Sequence, residues 1–117
     1  MIVGIGIDIV DIKRFKFFRQ NQYFLDKCFS EKEILMNTES LAARFAAKEA
    51  LYKALDEKIL FRWEDIEIVT NPNGSPEFKF TGKIETYAKA KKIHISMSHE
   101  RDTAIAFVII EKLGVKN

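Results

Sequence analysis

The chain has 117 residues, 47% of them hydrophobic, with 19 Lys and Arg against 17 Asp and Glu and a net charge of +2. That length predicts one domain over residues 1–117 with a small core, and the near-balanced charge argues against wholesale coating of a polyanion. One cysteine, Cys28, permits no internal disulfide, no apolar run nears the roughly twenty residues of a membrane span, and no basic stretch precedes the first apolar run. A soluble, cytoplasmic protein is therefore expected.

Ile2 to Ile12 is rich in Ile and Val and reads as a buried strand, with Gly4 and Gly6 permitting close backbone approach. Asp11 to about Tyr23 reads as a basic, aromatic helix. Ser30-Glu31-Lys32-Glu33 matches a capping box and starts a short helix. A long central helix follows from about Thr38 to Asp56, dominated by Ala, Leu, Lys and Glu without Gly or Pro. Ile66, Ile68 and Thr70 then alternate with other residues, Asn71 to Pro76 is a dense turn signal, and Glu77 to Phe80 completes a hairpin. Lys83 to Lys92 reads as a surface helix, and Ile93–Ser98 and Thr103–Ile110 as two closing strands. The predicted order β-α-α-α-β-β-α-β-β is an α+β pattern rather than a repeated βαβ unit.

Within the central helix, Leu41, Phe45, Tyr52 and Leu55 project to one side, the arc expected to face a core. Lys48 lies in the middle of that arc, either as a cation of a site or snorkelling along an apolar face. Glu49 and Lys53, four apart, stand at its edge, and Ala42 and Ala46 are expected to leave a notch where a ligand approaches. Read blandly, Glu49–Lys53 is an exposed helix-stabilising pair.

Asp8 interrupts the first strand between Ile7 and Ile9. A buried carboxylate is costly without a compensating cation or donors, so Asp8 is either a functional group or an exposed strand-end residue capping the next helix. If Asp8 and Glu49 converge, two carboxylates with open positions suit magnesium, which takes one or two carboxylates together with waters and phosphate oxygens. Arg44, Lys48 and Lys53 would then meet phosphate groups. Cys28, His94 and His99 have no zinc-ligand spacing, and Cys28 has no motif that would activate its thiol. Gly4-Ile5-Gly6 lacks the third glycine of a dinucleotide fingerprint.

Alternation places His94, Ser96 and Ser98 on one strand face and Ile93, Ile95 and Met97 on the other, with His99 at the strand end as either a cleft residue or an exposed turn histidine. No serine there sits in a nucleophile elbow, which argues against a serine hydrolase. Lys13 to Arg19 packs four cations and three phenylalanines into seven residues without an acid. That is a core helix with a solvated basic face, or a docking surface for an acidic partner.

Four stretches in this order, Gly4-Ile5-Gly6-Ile7-Asp8, Arg44-Phe45-Ala46-Ala47-Lys48-Glu49-Ala50, Gly74-Ser75-Pro76 and Ser96-Met97-Ser98-His99-Glu100, resemble the short bacterial-type 4'-phosphopantetheinyl transferases, the holo-acyl-carrier-protein synthases. The resemblance implies that family's fold, an antiparallel-rich sheet packed with one long central helix. It implies magnesium-dependent transfer of phosphopantetheine from coenzyme A to a serine of acyl carrier protein in fatty acid biosynthesis, releasing adenosine 3',5'-bisphosphate. By resemblance, Asp8 and Glu49 hold magnesium and Lys53 lies against the phosphates. Arg44, Ser98 and His99 hold the nucleotide end, Gly74 and Pro76 shape its pocket, and Arg14 meets the acidic carrier protein. The family works as a homotrimer with sites between subunits. The loop before Ile66 is short, which bears on the substrate rim. Two other readings compete: a small RNA-binding module using Lys13 to Arg19, and a magnesium-dependent hydrolase of nucleotide pyrophosphates.

Overall fold

The structure, a computed structural model, describes residues 1–114. Strand β1 (Ile2–Asp11) leads into four helices, α1 (Ile12–Phe18), α2 (Gln22–Cys28), α3 (Glu31–Ile34) and the long α4 (Thr38–Ala54). A 3-10 turn (Trp63–Asp65) precedes the hairpin β2 (Ile66–Thr70) and β3 (Pro76–Phe80), followed by α5 (Gly82–Lys89), β4 (Lys91–Glu100) and β5 (Thr103–Lys112). β1, β5 and β4 form an antiparallel sheet in that order, and β2 and β3 form a second antiparallel pair.

The basic helix expected over Asp11–Tyr23 is two helices. Asp11 caps α1 by accepting from the Lys13 N–H, and Asn21 caps α2 by accepting from the Phe24 N–H. Between them Arg19 leaves the basic face and donates to Thr38 Oγ1 at 2.9 Å and to the carbonyls of Met36 at 2.6 Å and Ile34 at 3.3 Å. Two local caps and one long-range clamp override the continuous helical pattern. The capping box at Ser30 forms as expected.

The three-stranded sheet has two unlike faces. Its inner face carries Gly4, Gly6, Asp8 and Val10 from β1, opposite Ile110, Val108, Ala106 and Ala104 of β5. This face packs on α4. Small residues set the separation: a Cβ on Gly4 would lie 1.7 Å from the Ala54 carbonyl oxygen, and one on Gly6 1.8 Å from that of Ala50. The outer face carries Ile5, Ile7, Ile9, Ile105 and Phe107, all exposed. β1 is thus not a fully buried strand, because only alternate residues meet the core.

The expected arc of α4 is also revised. Leu41 is fully buried, but Tyr52 is 57% exposed and packs tilted against Phe61 and Trp63. Ala42 and Ala46 are wholly buried, so they form no open notch. The helix is enclosed on several sides by alanine contacts, which a pattern of large residues does not reveal. Gly6→Ala is expected to force β1 off α4, costing about 3 kcal/mol. The melting temperature should then fall by roughly 10–20 °C. An unchanged melt would show that the sheet can shift without cost.

Candidate active site

The inner face of β1 runs Gly4, Gly6, Asp8, so the contact that seats α4 on the glycines continues directly to the carboxylate. Lys53, near the C-terminal end of α4, reaches across to it. Its Nζ lies 2.9 Å from Asp8 Oδ1 and donates to the Ile7 carbonyl at 3.1 Å. The expected i,i+4 partner of Lys53 was Glu49; the observed ion pair is instead between elements, with Asp8. Glu49 stands half-buried one turn earlier on α4 and lines the same cleft as Asp8. Burial and the negative charge of Asp8 push its pKa up, against an opposing effect of Lys53. Two carboxylates this close carry a mutual repulsion that a cation would relieve.

The donor set fits a hard divalent cation. Two carboxylates with solvent access suit magnesium, which completes its shell with water and phosphate oxygens. Among the described residues no group of three or more His, Cys, Asp and Glu gathers as a metal cluster, so the three-ligand arrangement of a typical zinc centre is not present.

The cleft around this pair measures about 870 Å³. It is lined by Asp8 and Glu49 together with Arg14, Phe15, Phe18 and Phe24 of α1 and α2. Lys13, Arg14 and Lys16 are exposed on α1, with Arg14 over the Phe18 ring at 5.9 Å. The basic face expected there therefore exists, without Arg19. A second cleft of about 550 Å³ contains Ser98 and His99 together with Arg101 and Ile105. Asp102 and Thr103 line both clefts, so the two adjoin. β4 shows the predicted alternation, with His94, Ser96 and Ser98 outward and Ile93, Ile95 and Met97 inward.

Arg44 is buried, donating to Thr70 Oγ1 at 3.1 Å and the Ser40 carbonyl at 3.3 Å, while its Nε has no partner. Burial lowers its pKa. Thr70 pairs with Pro76 at the base of the hairpin whose turn contains Gly74 at φ 89°, so Arg44 and the Gly74–Pro76 turn share one neighbourhood. Gly74 and Pro76 line neither of the two clefts. One chain therefore gathers Asp8, Glu49, Lys53 and Arg14, sets Ser98 and His99 beside them, and leaves Arg44, Gly74 and Pro76 as a separate group.

Lys48 neither snorkels nor joins the carboxylates. It is buried against Glu33, a residue legible in the sequence only as a capping-box acid. Asp102 and Thr103, where the clefts meet, carried no motif. Burial raises the Cys28 pKa, which disfavours a reactive thiolate.

The raised Glu49 pKa fixes a sign. A carboxyl whose folded value exceeds its unfolded one costs stability at pH values above both and nothing below both. Without added metal, Glu49→Gln is expected to raise the melting temperature at pH 7, and the gain should shrink as the pH falls toward the ordinary value of 4.5. A lower melting temperature at pH 7 would contradict a repelled carboxylate.

Comparison with known proteins adds an independent line. The model of the 4'-phosphopantetheinyl transferase superfamily matches residues 4–108. A holo-[acyl-carrier-protein] synthase of Leifsonia xyli subsp. xyli is 43% identical, covering 96% of this chain and 98% of that protein. The crystal structure of the Neisseria meningitidis holo-[acyl-carrier-protein] synthase superposes with a TM-score of 0.85 at 34% identity, covering 96% of this chain and all of that one. The Helicobacter pylori synthase, solved in complex with coenzyme A, gives a TM-score of 0.79 at 33% identity over 92% of this chain and 99% of that one. The glycine-seated carboxylate, the α4 acid and lysine, and these full-length similarities agree: the chain belongs to the 4'-phosphopantetheinyl transferase superfamily.

Proposed function

We propose that this protein transfers the 4'-phosphopantetheine group of coenzyme A to a serine of an apo-acyl carrier protein, releasing adenosine 3',5'-bisphosphate, as a cytoplasmic, magnesium-dependent step of fatty acid biosynthesis. The observation that carries the reading is the meeting of Asp8 with Lys53 and Glu49 beside a cleft edged by a basic helix. The near full-length likeness to synthases, one of them solved with coenzyme A, names the donor.

In the transfer, the serine oxygen forms a bond to the β-phosphorus, the pyrophosphate P–O bond breaks, and the hydroxyl proton leaves to a base. Asp8 and Glu49 would hold magnesium, whose charge disperses the negative charge growing on the phosphoryl oxygens. Lys53, already 2.9 Å from Asp8, would exchange that partner for a phosphate oxygen of the donor. The base that takes the serine proton is Glu49 or a water polarised by the metal. Arg14, Lys13 and Lys16 offer the exposed charge that an acidic carrier protein requires. Ser98 and His99 would hold the nucleotide end, with Arg44, Gly74 and Pro76 around its pocket.

One chain leaves Arg44, Gly74 and Pro76 apart from the Asp8 cleft, and the outer sheet face exposes Ile5, Ile7, Ile9 and Phe107 as one apolar patch. Both features support a homotrimer that builds its sites between subunits.

Glu49→Gln is expected to reduce magnesium-dependent labelling of apo-carrier protein by at least about a hundredfold while the circular dichroism spectrum is unchanged. Wild-type labelling by that variant would remove Glu49 from the mechanism. Phe107→Glu, in the centre of the outer face, should convert the trimer to monomer in sedimentation and abolish labelling with it. A wild-type protein that labels fully as a monomer would sink the shared-site reading.

A further inference from the structure

One buried charge pair takes no part in the chemistry proposed above. Lys48 and Glu33 are 1% and 0% exposed, with Nζ 2.7 Å from Oε1. The same ammonium donates to the Cys28 carbonyl at 2.6 Å, and it lies 4.9 Å from the centroid of the Phe29 ring. Glu33 is equally committed: Oε1 also accepts the Ser30 N–H at 3.0 Å, and Oε2 accepts the Ile68 N–H of β2 at 3.0 Å. A single pair thus ties the end of α2, the start of α3, β2 and α4 together.

Such a pair is a poor device for stability, because desolvating two charges consumes most of what their attraction returns, and apolar groups of equal volume often serve as well. Its location offers a different use. Lys48 precedes Glu49 on α4. The element it grips ends in Phe29, which is buried and packs edge-on against Phe15 at 6.2 Å and Phe24 at 6.1 Å, and tilted against Phe45 at 6.4 Å. Those three rings line the cleft of Asp8 and Glu49, to which α1 also contributes Arg14. The contacts run without a gap from Lys48 through Phe29 to the rings that line the carboxylate cleft.

We infer that Glu33 and Lys48 are positioning residues, which fix the spacing between the cleft wall bearing Arg14 and the α4 wall bearing Glu49, so that a serine delivered by a docked protein meets the reacting phosphorus. The inference rests on the transferase reading. Misplacement by about 1 Å suffices to lose a hundredfold in rate when a reaction depends on alignment. The pair acts on the protein substrate, whose docking wall it holds, and leaves coenzyme A binding alone.

The test is the double variant Glu33→Leu/Lys48→Met, assayed for melting temperature and for kcat and KM with each substrate separately. The expected protein is folded, with kcat/KM for apo-carrier protein reduced at least tenfold and KM for coenzyme A within about twofold of wild type. Wild-type kcat/KM for the carrier, or a KM for coenzyme A raised beyond about twofold, overturns the inference. Glu33→Gln/Lys48→Met retains one acceptor oxygen and serves if the leucine version does not fold; if neither folds, the pair serves the fold alone and the inference fails. Wild-type protein that does not modify the carrier at all would instead reject the underlying transferase reading.

Discussion

The close approach of β1 to α4 is the constraint on which the rest of this molecule depends. Gly4 and Gly6 have no Cβ because the carbonyl oxygens of Ala50 and Ala54 occupy that space. The next inward residue on the strand is Asp8, and at the distance the glycines set, the α4 lysine four residues past Glu49 reaches it directly. The site proposed for metal and phosphate, built from residues 41 positions apart (49 − 8), therefore depends on two missing methyl groups. Buried alanines on α4 and β5 continue this small-residue packing.

The molecule treats its two sets of buried or half-buried charges in opposite ways. Glu33 and Lys48 are matched to each other and to three backbone groups, and nothing in their surroundings calls for a ligand. Asp8 pairs with Lys53, while burial and then the negative charge of Asp8 raise the Glu49 pKa. Strain of this kind is expected where a protein waits for a cation and a polyanionic substrate. The charge pattern on α1 continues the same logic outward. Its cations face solvent beside the cleft, while Arg19, from the same basic run, is spent on the carbonyls that anchor α4's first turn.

Much of this was legible in the sequence, for identifiable reasons. Strand alternation gave the faces of β4, the capping box gave the start of α3, and the Asn71–Pro76 signal gave the hairpin, because each is set by local geometry. Asp8 stood out because a carboxylate among isoleucines has few stable explanations. The failures were non-local. The break between α1 and α2 follows from Arg19 reaching residues 34 to 38, and Lys48 is explained by an acid fifteen positions away. Tyr52 was misplaced because α4 packs through alanines, which carry almost no periodic signal, while its own large residues are divided between the core and an aromatic surface group with Phe61 and Trp63. The outer sheet face reads as core in sequence because isoleucine at every second position does not tell which face of the strand the chain itself covers.

The central claim is a group transfer between two substrates, and the mass of one of them tests it most directly. Purified apo-acyl carrier protein would be weighed by mass spectrometry before and after incubation with this protein, magnesium and coenzyme A. A gain of one phosphopantetheine group on a single serine is expected, lost when magnesium is chelated. An unchanged carrier with coenzyme A cleaved at its pyrophosphate would contradict it and make the protein a hydrolase; an unchanged carrier with intact coenzyme A would contradict it outright.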